Sequence, residues 1–360
     1  MSSLSPQTSS SPPGSTPALK PPEPPHPGQR ESGQRPLWAG LLLLGLLLVV
    51  VALSLTQGAV SLSGADLWQA ALRRGDPTYQ TIFWDLRLPR VLAALLVGSA
   101  LGMAGALLQG MLRNGLASPF LLGISAGAGL VVVLLVSLGL WQVWVPFGAW
   151  LGAIATTLMV YLLARTGTTV SVDRLILGGV AFSSLFGAVQ SMLLLLTQDG
   201  RVQAALTWLI GSLNGRGWRE VTVAAPAILV ALALGCLLSR QVNLLVLGDE
   251  LAVGLGTSLV RSRSLIGATA TLLAASAVSI AGLVGFVGLI VPHGVRLLVG
   301  TDYRLVLPFS ALGGALVLAS ADLVARSGPV ELPVGIVTAL LGAPVFILLL
   351  YRRSAAMGRL

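Results

Sequence analysis

Apolar runs long enough to cross a membrane recur near residues 37–55, 91–111, 119–139, 144–164, 175–196, 221–239, 305–325 and 333–351, each bounded by proline, polar or charged residues. Segments of this length bury their backbone polar groups in lipid only as helices. The stretch 265–299 constrains the chain further, because it is almost continuously apolar. At a rise of 1.5 Å per residue it makes a helix of about 52 Å, too long for a hydrocarbon layer of about 30 Å. Gly282, Gly285 and Gly288 offer the place to break it. The expected fold is therefore all-α, a polytopic membrane protein of about ten transmembrane helices with a short eighth span.

Composition agrees, and it removes several function classes. A mean hydropathy of +0.88 excludes an ordinary soluble domain. The net charge of +9 is spread over basic residues that form no run and carry no interleaved aromatics, so a nucleic-acid partner is not expected. Cys236 is the only cysteine, and no Cys/His cluster has metal-ligand spacing. Lys20 is the only lysine, which rules out a GxxxxGK[ST] phosphate loop and hence unaided ATP hydrolysis by that route. The carboxylates fall in the tail, in loops or near helix ends. A gradient-driven secondary transporter, the alternative reading, usually places one near mid-membrane. No catalytic residue, metal ligand or bound cofactor is expected, and the chain reads as a transport subunit rather than an enzyme.

Residues 1–36 are rich in Ser and Pro and are expected to form a disordered tail. Residues 37–353 form the membrane domain, and 354–360 a short C-terminal tail. An even number of spans puts both termini on one side, and fourteen basic residues fall on that side against eight on the other. The positive-inside rule makes it cytoplasmic. Gly98/Gly102 and Gly123/Gly127 have the small-xxx-small spacing of close helix packing.

Six ordered blocks carry a resemblance: RLPR at Arg87, QGMLRNGLASP at Gln109, LLGISAGAG at Leu121, LLVLGDELAVGLG at Leu244, GFVGLIVPHGVRLLVGTDYR at Gly285 and ELPVGIVTALLGAPVFILLL at Glu331. Together they resemble the FecCD family, the large-type permeases of ABC importers for ferric siderophores, haem and cobalamin. The resemblance implies a multi-pass protein of the inner membrane that forms a homodimer or pairs with a paralogous permease. It further implies two ABC ATPase subunits, which use ATP and Mg, and a periplasmic or lipid-tethered substrate-binding protein. Ferric siderophore is the expected cargo, with haem and cobalamin as alternatives.

Four groups of residues are candidate sites. Arg87 and Arg90 lie one helical turn apart around Pro89, able to present two guanidinium forks, and the resemblance adds Arg326 to them as receivers of the binding protein's acidic residues. The loop Leu247, Gly248, Asp249, Glu250, Leu251, Gly254, Leu255 and Gly256 is expected to fold as a short helix capped by Asp249 and Glu250. Leu251 and Leu255 then share one face, and the resemblance makes this the ATPase-coupling element. Ser171, Val172 and Asp173 match the cytoplasmic gate of the family, although Val172 and Asp173 depart from its small hydroxyl residues. Gly178, Gly179, Ser183 and Ser184 are the candidate pathway wall. Gln109, Arg113 and Asn114 are assigned a structural role in closing the second span.

Overall fold

The computed structural model describes residues 35–58, 60, 62–166, 169–197 and 199–357. The tail expected at 1–36 lies almost wholly outside them, as do residues 358–360. In chain order the helices are α1 (Arg35–Thr56), α2 (Gly64–Ala71), α3 (Pro77–Thr81), α4 (Leu88–Met111), α5 (Ile124–Ser137), α6 (Trp141–Ala164), α7 (Val172–Leu195) and α8 (Asp199–Ile210). They continue with α9 (Trp218–Leu237), α10 (Ser239–Val246), α11 (Asp249–Gly254), α12 (Leu259–Ala281), α13 (Val287–Val299), α14 (Tyr303–Ala325) and α15 (Val334–Met357). A two-residue antiparallel pair, β1 (Arg165–Thr166) with β2 (Thr169–Val170), is the only sheet among the described residues.

Seven described helical segments have spanning length and hydropathy, and three shorter apolar helices, Ile124–Ser137, Val287–Val299 and Val334–Leu348, bring the apolar set to ten. The break in the long apolar stretch falls where its glycines allow. α12 ends at Gly282, which adopts φ 70, and Phe286 takes φ 66 immediately before the 13-residue α13 begins. Small helices that no apolar run announces, α2, α3, α8 and α10, fill the connections.

α4 is the central post, with most of its residues from Val91 to Met111 buried, and α14, α12, α13 and α9 pack around it. Lipid tails give helices no hydrophobic reason to associate, so close van der Waals contact must do so. A Cβ added at Gly98 or Gly102 would collide with the backbone of Gly314 or Ser310, and one at Gly105 with the backbone of Gly288. The small-residue spacing on α4 thus sets its crossing with α14. α1 lies at the margin, with most of its surface unburied by this chain. α7 likewise buries only one stripe and leaves Leu177, Val180, Leu185 and Met192 exposed.

α4 also sets the polarity of the molecule. Arg87 and Arg90 stand at its start, and Arg113 just past its end. The starts of α1 and α14 lie together, where Gly40 faces Phe309, and α15 leaves from beside Gly211 at the Arg90 end. Both described chain ends therefore lie on the Arg113 side.

Candidate functional site

At the Arg90 end the helix entering α4 is not a regular α-helix. Ile82–Arg87 form a π-helical turn in which the Leu88 N–H reaches the Phe83 carbonyl, five residues back, and Pro89 has no N–H to restore the α pattern. The extra residue re-aims Arg87. One terminal nitrogen of its guanidinium donates to the carbonyls of Leu55 (2.6 Å) and Thr56 (2.8 Å), and the other donates to Val60. Arg326, the C-cap residue of α14, donates to the carbonyls of Ser54 (2.5 Å) and Gln57 (3.2 Å). Both side chains therefore satisfy the orphan carbonyls at the C-terminus of α1.

Arg90 engages carboxylates. Its Nε and one terminal nitrogen donate to Asp322 Oδ1 at 3.0 and 2.8 Å, and its other terminal nitrogen holds Glu331 at 2.7 Å. Asp322 is only 1% exposed and is also approached by Arg326 at 3.5 Å. It lies in the last turn of α14 with two cationic partners, which is no place for a mid-membrane proton relay.

The structure thus brings Arg87, Arg90 and Arg326 together at one end, as the sequence predicts, but corrects how they stand. The expected outward forks are turned inward, and Arg87 is 6% exposed. The reason is local: the carbonyls at the end of α1 take their donors from these side chains, and buried carbonyls left unpaired are costly. Of this cluster, Glu331 is the group that faces outward.

The opposite end is built the other way. α11 forms at Asp249–Gly254 after Gly248, whose φ of 110 turns the chain, and Gly256 at φ 80 closes it. Asp249 does not cap its own helix as expected. Its carboxylate accepts from Arg263 of α12, with both oxygens at 3.0 Å, and meets Arg113 at 3.5 Å. Ala252 points inward, while Leu251 and Leu255 are 60% and 61% exposed, with Leu247 and Val253 beside them. A short helix is thereby clamped by charge at its base and left apolar on its outer face.

Ser171 caps α7 by accepting from the Arg174 amide, and Asp173 lies exposed in its first turn. Of the expected pathway wall, Gly178 and Gly179 are buried. Gly178 faces Leu163 and Val160 of α6, and the Gly179 carbonyl and the Ser183 hydroxyl lie against Gly123. These three lie on the inward stripe of α7, packed against neighbouring helices. Ser184 lies on its exposed face.

Gln109 bonds across helices. It accepts from Arg296 at 2.7 Å and donates to the carbonyls of Gly288 and Leu289 at the start of α13. Sequence reasoning missed Asp322, Glu331, Arg263 and Arg296 as partners. The available signal was charge bookkeeping: each expected site arginine or aspartate needs a counter-charge once buried.

The sequence pattern of the FecCD transport family matches residues 46–352. The chain belongs to the FecCD transport family. The haemin transport system permease HmuU of Yersinia pestis is 40% identical over 328 residues, covering 88% of this chain and 96% of HmuU. The cobalamin import permease BtuC of Halobacterium salinarum is 42% identical over 290 residues, covering 80% and 78%. An ABC transporter assigned to the metal-chelate type, solved in an inward-facing conformation, superposes with a TM-score of 0.79 at 33% identity, over 86% of this chain and 97% of that one. This FecCD chain is thus the multi-span transmembrane permease of an ABC importer, and its fold is that of such permeases.

Proposed function

We propose that two copies of this permease, or one copy with a paralogous chain, form the pathway of an inner-membrane importer for a ferric siderophore, with both termini cytoplasmic. Two ATPase subunits bind ATP and Mg and dock on α11. The observation that carries this reading is the α11 platform, an exposed apolar face on a helix whose base is clamped through Asp249 to Arg113 and Arg263. Apolar residues on a short cytoplasmic helix call for a partner. The clamp links that partner's movement to α12 and to the end of the central post. Leu247, Gly248, Glu250, Gly254, Leu255 and Gly256 complete the coupling element, and Ser171, Val172 and Asp173 at the same end serve as the gate.

A substrate-binding protein docks at the Arg90 end. Because Arg87, Arg90 and Arg326 are engaged within the chain, their part in docking is to hold the α1 terminus and Glu331 in place. Ser184 lies on the open stripe of α7 that faces the pathway. The cargo is taken as a ferric chelate because a solved relative is a metal-chelate type transporter and HmuU carries an iron porphyrin by name. The test is uptake into proteoliposomes holding the permease, its ATPase and its binding protein. ATP-dependent import of a ferric siderophore is expected. Import of haem or cobalamin alone would replace the cargo, and no import of any of the three would overturn the reading.

A further inference from the structure

A groove of about 460 Å³ runs along the side of the bundle between α6 and α12. Its walls are apolar, with Leu122, Ile154, Val160, Leu175 and Leu272 among them. On α12 the lining residues Gly267, Ala268 and Thr271 are small and leave the floor low. A Cβ added at Gly267 would meet only the end of the Met111 side chain, at 3.8 Å. Leu158 and Ala268 are exposed at the rim, so the groove opens sideways, where a membrane span meets lipid.

The walls are tied together at both ends of the gap. The Tyr161 and Ser264 hydroxyls bond to each other at one end, and the Trp150 indole N–H donates to the Ser276 hydroxyl at 3.3 Å at the other. The remaining hydroxyls of the lining are satisfied within the chain. Thr157 donates to the Ala153 carbonyl, Ser264 to Val260 and Thr271 to Gly267. A polar solute would lose its water here and find no partner, so the occupant that fits is hydrocarbon. Length narrows the class further. From Trp150 to Tyr161 the groove follows α6 for about 16 Å, against about 15 Å for half of a hydrocarbon layer of about 30 Å. It therefore suits a chain that reaches from one surface to mid-membrane.

The end at Tyr161 and Ser264 is the charged one. Arg165 lies four residues after Tyr161, Arg261 lies three before Ser264 on the same face of α12, and both are exposed. β1 carries Arg165 and pairs with β2, which packs on α12, so the two arginines border one mouth from its two walls. Asp173 in the first turn of α7 is followed directly by Arg174 and leaves that turn neutral. Guanidinium groups above an apolar groove complement a phosphate above an acyl chain. We propose that this groove binds an anionic phospholipid of the leaflet at the Arg113 end, with one acyl chain along α12 and the headgroup phosphate between Arg165 and Arg261. The site is separate from the cargo, the ATPase contact and the arginine cluster around Arg90.

The test is native mass spectrometry of the full chain in detergent, titrated with phosphatidylglycerol or with phosphatidylcholine of identical acyl chains. Phosphatidylglycerol is expected to bind about tenfold more tightly. Arg165→Gln together with Arg261→Gln leaves the groove intact and should bring the two lipids to within about twofold of each other. Ala268→Phe fills the groove from an exposed position and should weaken both lipids at least about tenfold. Added phosphatidylglycerol should raise the unfolding temperature of the parent chain and leave that of Ala268→Phe unchanged. Equal binding of the two lipids by the parent chain would overturn the proposal, as would parental binding by Ala268→Phe. If Ala268→Phe lowers the unfolding temperature without lipid, the arginine pair decides: a preference for phosphatidylglycerol that survives Arg165→Gln/Arg261→Gln overturns the site. A smaller assembly mass in Ala268→Phe with lipid binding unchanged would assign the groove to a second copy of the chain instead.

Discussion

The two ends of α4 solve opposite problems with similar residues. At the Arg90 end, three arginines and Asp322 are drawn inside and bonded to one another or to the carbonyls of α1. At the Arg113 end, the charges lie beneath α11, and apolar side chains are pushed outward. Exposed charge therefore does not identify a working surface in this chain. The arginine cluster at the first end is paired within the chain, whereas the apolar face of α11 at the second is left uncovered by it.

The strongest way to break that contrast is at Arg90. Arg90→Ala leaves Asp322 buried beside a single, more distant arginine, and removing one member of such a pair destabilises by about 3–5 kcal/mol. A drop of that size in denaturant unfolding of the detergent-solubilised chain is expected, with partial recovery in Arg90→Met/Asp322→Leu. Little loss would mean that the cluster is a surface feature after all. The next effect lies wholly in assembly. Leu251→Glu together with Leu255→Glu should change stability by less than about 0.5 kcal/mol per site, as for exposed positions. Affinity for the ATPase subunits should fall about a hundredfold, or about 2.7 kcal/mol, read by surface plasmon resonance. Equal loss of fold and affinity would erase the distinction between the two ends.

Asp249 tests how the second end is held. Asp249→Ala removes the clamp from Arg263 and Arg113, and because the pair is partly exposed the loss of stability should be only about 1 kcal/mol. ATP hydrolysis should then continue with reduced uptake per ATP, which stoichiometry measurements in proteoliposomes detect. Unchanged coupling would show that α11 needs no rigid base. The smallest effect is at Asp302, the N-cap of α14. The Arg304 amide and Asn243 hold its carboxyl below the usual carboxylate range. Its contribution is thus complete above the unfolded-state pKa near 4 and fades as pH falls through the lower folded value. The stability difference between the parent and Asp302→Asn should be present at pH 7 and shrink in acid. A difference independent of pH would assign it to the hydrogen bond alone.

The uneven legibility of the sequence follows the same line. Spans, the break at Gly282 and the α11 helix were readable because hydropathy, glycine and helix signals act within a few residues. The inward turn of the arginines was not, since Arg90 and Asp322 are 232 residues apart and no local pattern pairs them. The π turn also escaped, because regular spacing of Arg87 and Arg90 assumes a helix that Pro89 disrupts. Gly178 and Gly179 suit open space for a substrate and close helix contact equally well, so no local pattern chooses between them, and their place on the buried stripe of α7 appears only in the fold.

The latch on α1 has a consequence for how the protein is made. Of the described helices α1 emerges first during synthesis, but its terminal carbonyls are closed by Arg87 and by Arg326, the latter 272 residues after Ser54. The earliest of the described helices is therefore among the last to be fastened. During nearly the whole of translation it must wait as a loosely held neighbour, with half of its lock still inside the ribosome.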